Sequence, residues 1–193
     1  MMGLLENYSR NLLKPGFKAA GNIIMMLGLT GPEMGGSDYS FIAHDLVGGE
    51  LPQLDLEMEK RIQRLCLEAN KLGLFKSAHD CSRGGMLITV IESCFYAEPK
   101  LMGAELKIES ELEPEALLFG ESYGRVVVSL DKDKREQLEE LAKKWKVDLT
   151  LLGEVINDEI KVRIKSKKSS TWQEVVNMEI EHVRQNWRGE IGE

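Results

Sequence analysis

Apolar residues along the chain fall into two kinds of pattern: short continuous or alternating runs, and longer runs with helical spacing. A continuous apolar run over 23–27 lies between Gly21 and Gly28, which predicts a strand buried on both faces. The β-branched run over 125–130 predicts a second strand. Apolar and charged residues alternate over 104–109, which predicts a third strand with one face in water.

The helical patterns are longer. Apolar residues recur at intervals of three and four over 55–72, where Asp55 is a candidate N-cap and Gly73 a candidate stop. The run over 86–95 is apolar nearly all round and predicts a buried helix. The run over 134–145 is amphipathic. These three segments are therefore predicted to be helices.

Weaker signals predict further elements. Ser37 is a candidate N-cap for a short helix over 38–46, and a helical turn is predicted over 114–118. Two apolar runs, over 149–153 and 159–164, predict a β-hairpin that turns at the Asn-Asp pair between them.

A capping box, Thr171-x-x-Glu174, predicts the start of a C-terminal helix. The apolar side chains that share one face of that helix are Trp172, Val176, Ile180, Val183 and Trp187. This helix is the last element that the pattern predicts.

In chain order, these elements alternate irregularly between strands and helices, with neither strict alternation nor segregation. The order favours an α+β fold with three layers, α/β/α, around a mixed sheet. We expect one domain over 21–188. Residues 1–20 are expected to be a linker or the end of a preceding domain, and residues 189–193 a tail.

Composition excludes several classes of function. The chain has 193 residues and a net charge of −7, so it lacks the basic balance that nucleic-acid binding usually needs. No apolar run approaches the ~20 residues that span a bilayer. Residues 1–10 lack a basic stretch followed by an apolar core, so we expect no signal peptide, no membrane partner and a cytoplasmic location. The cysteines form no Cys-x-x-Cys pair, which makes a zinc site unexpected.

The first motif that could carry chemistry lies over 77–85, where a strand-like segment meets the buried helix. Gly84 and Gly85 would let a phosphate approach the unpaired N–H groups of a helix start. Ser82 can cap the helix or donate to an anion, and Asp80 is an oxygen ligand suited to magnesium. The alternative is a tightly turned, capped helix start whose histidine is satisfied by nearby hydrogen bonds.

The second motif lies over 119–125, where glycines enclose a carboxylate, a hydroxyl and a guanidinium just before a strand. Glu121, Ser122 and Arg125 are candidates for binding phosphate, with Arg125 able to form a bidentate contact. The alternative is that Glu121 and Arg125 pair with each other in a turn at the start of the strand.

The third motif places two glycines, Gly35 and Gly36, before Ser37. Successive backbone N–H groups in such a turn can bind an anion. The alternative is a flexible turn followed by an ordinary helix cap.

Taken in order, four stretches resemble one known family: Gly21–Ile24, Glu33–Tyr39, Ser77–Gly85 and Leu118–Arg125. They are similar to the last domain of the large, synthetase subunit in the phosphoribosylformylglycinamidine synthase family. The resemblance covers nearly the whole chain, and it includes the opening residues, which are similar to the join that precedes this domain. No single motif is specific, whereas the ordered set at these spacings is.

This resemblance implies the C-terminal domain fold of the aminoimidazole ribonucleotide synthetase type. It implies a share in converting formylglycinamide ribonucleotide to formylglycinamidine ribonucleotide, for which the full enzyme uses ATP and magnesium. The implied partners are an N-terminal synthetase domain or subunit, a glutaminase subunit that delivers ammonia, and a small accessory subunit. Because the family's catalytic histidine lies in the N-terminal part, the resemblance implies no catalytic residue here and no activity of the chain alone.

The resemblance also implies roles for single residues. Asp80 occupies the place of a magnesium ligand, and Glu121 and Ser122 that of a substrate-holding Glu-Ser-Gln stretch, in which Tyr123 replaces the glutamine. The chain is most similar to the second of two copies of this domain, whose role is more structural. We therefore expect packing against the partner domain first and contact with phosphate or magnesium second.

Two other hypotheses stay open. One is a stand-alone nucleotide-binding or regulatory module, for which a homodimer is one arrangement. The other is the equivalent domain of aminoimidazole ribonucleotide synthetase itself. The Glu-Ser-Tyr-Gly-Arg stretch and the tryptophans near the C-terminus favour the first family over this one.

Overall fold

The computed structural model describes residues 12–97 and 100–189, and its centre is a mixed sheet. The sheet has seven strands in the order β2-β4-β1-β5-β3-β6-β7. All neighbours are antiparallel except β3 and β6, which are parallel. The strands are β1 (Ile23–Leu27), β2 (Ser77–Asp80), β3 (Gly103–Glu109), β4 (Val126–Leu130), β5 (Leu149–Ile156), β6 (Glu159–Lys165) and β7 (Gln173–Glu179).

Helices cover both faces of this sheet. They are α1 (Asp38–His44), α2 (Leu56–Lys71), α3 (Gly85–Phe95), α4 (Pro114–Phe119), α5 (Arg135–Trp145) and α6 (Ile180–Gly189). Apolar side chains of α2 and α5 form one core with the sheet, and those of α3, α4 and α6 form a second core on the other face. The predicted three-layer α/β/α arrangement around a mixed sheet is confirmed. Within the described residues, no helix is long and apolar enough to cross a membrane.

Strand β1 shows why a continuous apolar run was needed at the centre of the sheet. Ile24 and Met26 point into the core beneath α3, whereas Ile23, Met25 and Leu27 point into the core beneath α2. All five side chains are buried. A strand with helices on both faces has no solvated side, so alternation of apolar and polar residues disappears.

The segment before β1 packs against the domain from residue 12 onwards. Phe17 is buried in the core beneath α3, and its N–H donates to the carbonyl of Ser93 at 2.9 Å. The carbonyl of Lys14 accepts from the N–H of Ala78 on the edge strand β2 at 3.3 Å. The boundary expected at residue 21 stays a prediction, and residues 1–11 and 190–193 lie outside the described residues.

The predicted hairpin of β5 and β6 is wrong. Strand β3 lies between them, antiparallel to β5 and parallel to β6. The turn at Asn157-Asp158 therefore passes over the start of β3, where Gly103 pairs with Ile156. The two apolar runs identified both strands, but local sequence cannot specify which strand enters between two consecutive ones.

The predicted C-terminal helix is also partly wrong. Residues 173–179 form strand β7, which pairs with the outer edge of β6, and the helix begins only at Ile180. Val175 and Val176 suit a strand, and β7 supplies hydrogen-bond partners for an edge of β6 that would otherwise be open. The tertiary pairing outweighs the local signal of the capping box at Thr171 and Glu174.

Candidate functional site

The three glycine-containing motifs meet at one end of the sheet because of its strand order. Leu27 at the end of β1 lies opposite Val126 at the start of β4. Asp80 at the end of β2 lies opposite the same residue from the other side. The loops that follow β1 and β2 and the loop that precedes β4 therefore emerge together. We call this junction the turn cluster, formed by residues 30–38, 80–85 and 119–125.

Glu121 joins the three loops. Its Oε1 atom accepts a hydrogen bond from the N–H of Asp38 at the first residue of α1, and another from the N–H of Gly84, the N-cap of α3, both at 2.9 Å. These N–H groups have no partner within their own helices and carry partial positive charge. A half-buried carboxylate of the chain thus occupies the position in which an anion would bind these two helix starts.

An ion pair closes the same cluster from outside. Arg83 contacts Asp38 through two hydrogen bonds of 3.0 Å, from Nε to Oδ2 and from Nη2 to Oδ1. Because the Arg83 side chain is largely exposed, water screens this pair and it contributes little to stability. Asp38 and Arg83 lie inside two of the predicted motifs but were not among the candidate site residues. The sequence offered one signal for this pair: a basic residue in the first motif and an acidic residue in the third, which could attract each other if the loops met.

Arg125 is directed inward. It is 2% exposed, and its guanidinium donates to the carbonyls of Ser122 and Gly120 and to Oγ1 of Thr30, at 3.0, 2.6 and 3.0 Å. Burial lowers the pKa of this guanidinium from its ordinary value. The direct ion pair between Glu121 and Arg125, considered from the sequence, is not among the contacts of the described residues. The guanidinium fixes the loop around it, and contact with a phosphate stays a prediction.

The hydroxyls of Ser122 and Ser37 also have partners inside the protein. The Oγ of Ser122 accepts from the N–H of Gly31 at 2.9 Å. The Oγ of Ser37 accepts from the N–H of Ser40 at 3.2 Å and donates to the carbonyl of Met34 at 2.7 Å. Ser37 is therefore the N-cap of α1, as the sequence predicted.

The glycines of the first loop hold a second loop in place. The N–H of Gly35 donates to the carbonyl of Glu50 at 3.0 Å, and that of Gly36 to the carbonyl of Gly48 at 3.2 Å. Because both N–H groups have protein partners, they could bind an anion only if these two hydrogen bonds opened. The anion-binding role of Gly35 and Gly36 stays a prediction.

The glycines at the start of α3 allow close packing. A Cβ on Gly85 would lie 2.7 Å from the carbonyl oxygen of Gly120, and Gly85 has a φ of +73° that side chains rarely adopt. Its N–H donates to the carbonyl of Ser82 at 3.2 Å. Ser82 itself is exposed, so its hydroxyl is accessible from solvent.

Asp80 lies at the exposed end of β2. No group of three or more His, Cys, Asp or Glu side chains in residues 12–97 and 100–189 could hold a metal ion. The described residues alone therefore do not fit magnesium, and the role of Asp80 as a ligand stays a prediction. The neighbouring His79 contacts Glu92 and Ser93 of α3, both at 3.4 Å, so the histidine has nearby partners.

Comparison with known proteins agrees with this fold. The family model described as AIR synthase related protein, C-terminal domain, matches residues 19–165. Phosphoribosylformylglycinamidine synthase subunit PurL of Moorella thermoacetica is 34% identical over 191 residues, which cover 99% of this chain and 25% of that protein. The PurL subunit of Symbiobacterium thermophilum is 35% identical over 159 residues, covering 82% of this chain and 20% of that protein. The chain thus spans about a quarter of the length of the curated relatives it matches.

Solved structures show the same fold. T. maritima PurL complexed with FGAR superposes with a TM-score of 0.72 at 23% identity, covering 89% of this chain and 29% of that one. E. coli HypE, a hydrogenase maturation protein, gives a TM-score of 0.58 at 19% identity, covering 85% of this chain and 52% of that one. Since the family model matches most of its length, the chain belongs to the AIR synthase related protein family, as a C-terminal domain of that family.

Proposed function

We propose that the chain acts as the C-terminal domain of a phosphoribosylformylglycinamidine synthase of the PurL type. In this role it takes part in the ATP-dependent conversion of formylglycinamide ribonucleotide to formylglycinamidine ribonucleotide. One observation carries the proposal: 99% of the chain aligns with PurL of Moorella thermoacetica, while only 25% of that protein is covered. A match of this extent is what we expect of a chain that corresponds to one quarter of such an enzyme.

The turn cluster supports a role that depends on another domain. The N–H groups of Gly35, Gly36, Asp38 and Gly84 all have partners inside the protein. The described residues also lack a metal-binding cluster of their own. A phosphate would need further donors, and magnesium further ligands, from a neighbouring domain. We therefore propose that ATP and magnesium bind where this domain meets the N-terminal synthetase part.

Within that joint site, we propose a contact role for the exposed residues of the turn cluster. Asp80 and Ser82 are open to solvent, so each can reach a ligand held by a partner domain. Glu121, Ser122, Gly84, Gly85 and Arg125 hold the cluster in shape for that contact. A glutaminase subunit, a small accessory subunit and a cytoplasmic location belong to the same proposal.

An assay of the isolated chain tests this proposal. With formylglycinamide ribonucleotide, ATP, magnesium and ammonia, we expect no product, because the nucleotide site is incomplete. Calorimetry with ADP and magnesium should show no tight binding. Product from the chain alone would contradict the proposal. Tight binding of ADP by the lone chain would instead support a stand-alone nucleotide-binding module.

A further inference from the structure

We propose that the segment after α1 is a docking surface for another protein domain, one whose apolar patch is bordered by lysine and arginine. We call this surface the 41–56 face. It is formed by large apolar side chains that are all more than half exposed: Phe41, Ile42, Leu46, Val47, Leu51, Leu54 and Leu56. Ile42 and Val47 are 80% and 84% exposed. This inference rests on the proposed function, since it names the surface by which the remaining synthetase part would be held.

The concentration of these residues is unusual. Single exposed apolar residues are normal on protein surfaces, and Leu67 on α2 is an example here. A group of seven within sixteen residues is the kind of feature that marks an interaction site. Ser40, just before the segment, is the buried residue of α1, and none of residues 41–56 is buried.

Backbone hydrogen bonds hold the face in shape, although its large apolar side chains are mostly exposed. The carbonyls of Gly48 and Glu50 accept from Gly36 and Gly35 in the turn cluster. At the other end, the N–H of Leu46 donates to the carbonyl of Ser40 at 3.1 Å and ends α1. A surface that is fixed before binding loses less conformational entropy when a partner docks.

Charge indicates which kind of partner fits. The sequence contains no lysine or arginine between Lys18 and Lys60, whereas Asp45, Glu50 and Asp55 all lie within or beside the face. Two copies of the chain meeting through this face would bring their acidic residues together, and an anionic lipid surface would be repelled as well. A domain with an apolar patch and a basic border would cover the exposed apolar side chains and pair with the acidic residues of the face.

The face is also connected to the turn cluster. α1 begins at Asp38, whose N–H donates to Glu121 and whose carboxylate pairs with Arg83. The same helix ends in the face, at His44. A domain docked on the 41–56 face would therefore lie beside the three loops that we propose to share a site with it.

The test uses a chimera in which this chain replaces the matching quarter of Moorella thermoacetica PurL, with the isolated chain for comparison. Carbene footprinting should label residues 41–56 strongly in the isolated chain and several-fold less in the chimera. Ile42→Asp and Val47→Asp should leave the thermal midpoint of the isolated chain unchanged and lower that of the chimera by at least about 3 °C. The matched control, Leu67→Asp, should leave both proteins unchanged.

The outcomes separate the two proposals. A folded, active chimera whose 41–56 face is labelled as strongly as in the isolated chain would overturn the docking surface alone. A chimera that does not unfold cooperatively would count against both. Concentration-dependent dimers of the isolated chain that Val47→Asp abolishes would also overturn the inference, because the occupant would then be a second copy. Weaker docking of Glu50→Lys would support the basic border of the partner.

Discussion

The carboxylate of Glu121 accepts a hydrogen bond from the backbone N–H of Gly84 at 2.9 Å and so ties the loop before β4 to the start of α3. The same oxygen accepts from Asp38 at the start of α1. Removing this carboxylate would leave two helix-start N–H groups without partners.

Glu121→Ala is expected to destabilise the chain by about 1–3 kcal/mol, since two partly buried donors lose a charged acceptor. Glu121→Gln keeps an acceptor oxygen and loses mainly the charge, so it should cost less, roughly 0.3–1 kcal/mol. Urea unfolding monitored by circular dichroism measures both values. Glu115→Ala, at an exposed position of α4, is the control. A loss for Glu121→Ala no larger than that for Glu115→Ala would show that the two hydrogen bonds do not stabilise the fold.

Arg125 holds three oxygens of the loops around it while almost entirely buried. Arg125→Lys is expected to cost about 2–4 kcal/mol, because an ammonium cannot reproduce the planar fork of donors and leaves buried carbonyls unpaired. Arg135→Lys, on the exposed surface of α5, should change stability by less than about 0.5 kcal/mol. Chemical denaturation of both variants tests this difference. A small effect at Arg125 would mean that the loops keep their shape without it.

Alanine substitutions at Gly85 and Gly21 distinguish the cost of backbone strain from the cost of a steric clash. Both have positive φ, of +73° and +88°, but a Cβ on Gly85 would meet Gly120 whereas one on Gly21 would meet nothing within 4 Å. Gly21→Ala should therefore cost about 1 kcal/mol from backbone strain alone. Gly85→Ala should cost about 3 kcal/mol or more, since α3 must also move away from the 119–120 loop. Similar unfolding midpoints for the two variants would contradict the close approach.

Glu92 makes a specific contribution to pH dependence. Burial raises the pKa of its carboxyl above the ordinary value, with His79 opposing that shift and Asp80 adding to it. The folded state therefore binds this proton more tightly than the unfolded state. The stabilisation is fully present below the unfolded pKa and is lost as the pH rises through the raised pKa of the folded state.

Glu92→Gln removes this titration. The free energy of unfolding of the wild type, minus that of the variant, should fall as the pH is raised from the acid side through the titration of Glu92. Unfolding measured in urea at a series of pH values gives this difference. A difference that rises with pH over the same range would reverse the sign and contradict the raised pKa.

Much of the fold could be predicted because several segments have long or unbroken patterns. β1, α2 and α3 follow directly from the apolar positions, since their side chains are buried on the faces that the spacing indicates. β7 could not be predicted, because its local sequence carries a helix-start signal and its stability depends on the edge of β6. The neighbours of β5 and β6 depend on β3, which lies about fifty residues earlier in the chain.

The candidate site divides in the same way. Motif composition identified the three loops, and the sheet order β2-β4-β1 brings them together. The hydrogen-bond partners of each side chain could not be predicted, because they depend on how the loops pack in space. Glu121 faces two helix starts and Arg125 faces inward carbonyls, whereas spacing alone permitted each of them to face a ligand or the other.

Activity of the chimera with Moorella thermoacetica PurL tests the central claim most directly. The account predicts ATP-dependent formation of formylglycinamidine ribonucleotide by the chimera, and none by this chain alone or by the relative without its matching quarter. A folded chimera that makes no product, or product formed by this chain alone, would contradict the assignment as a synthetase domain.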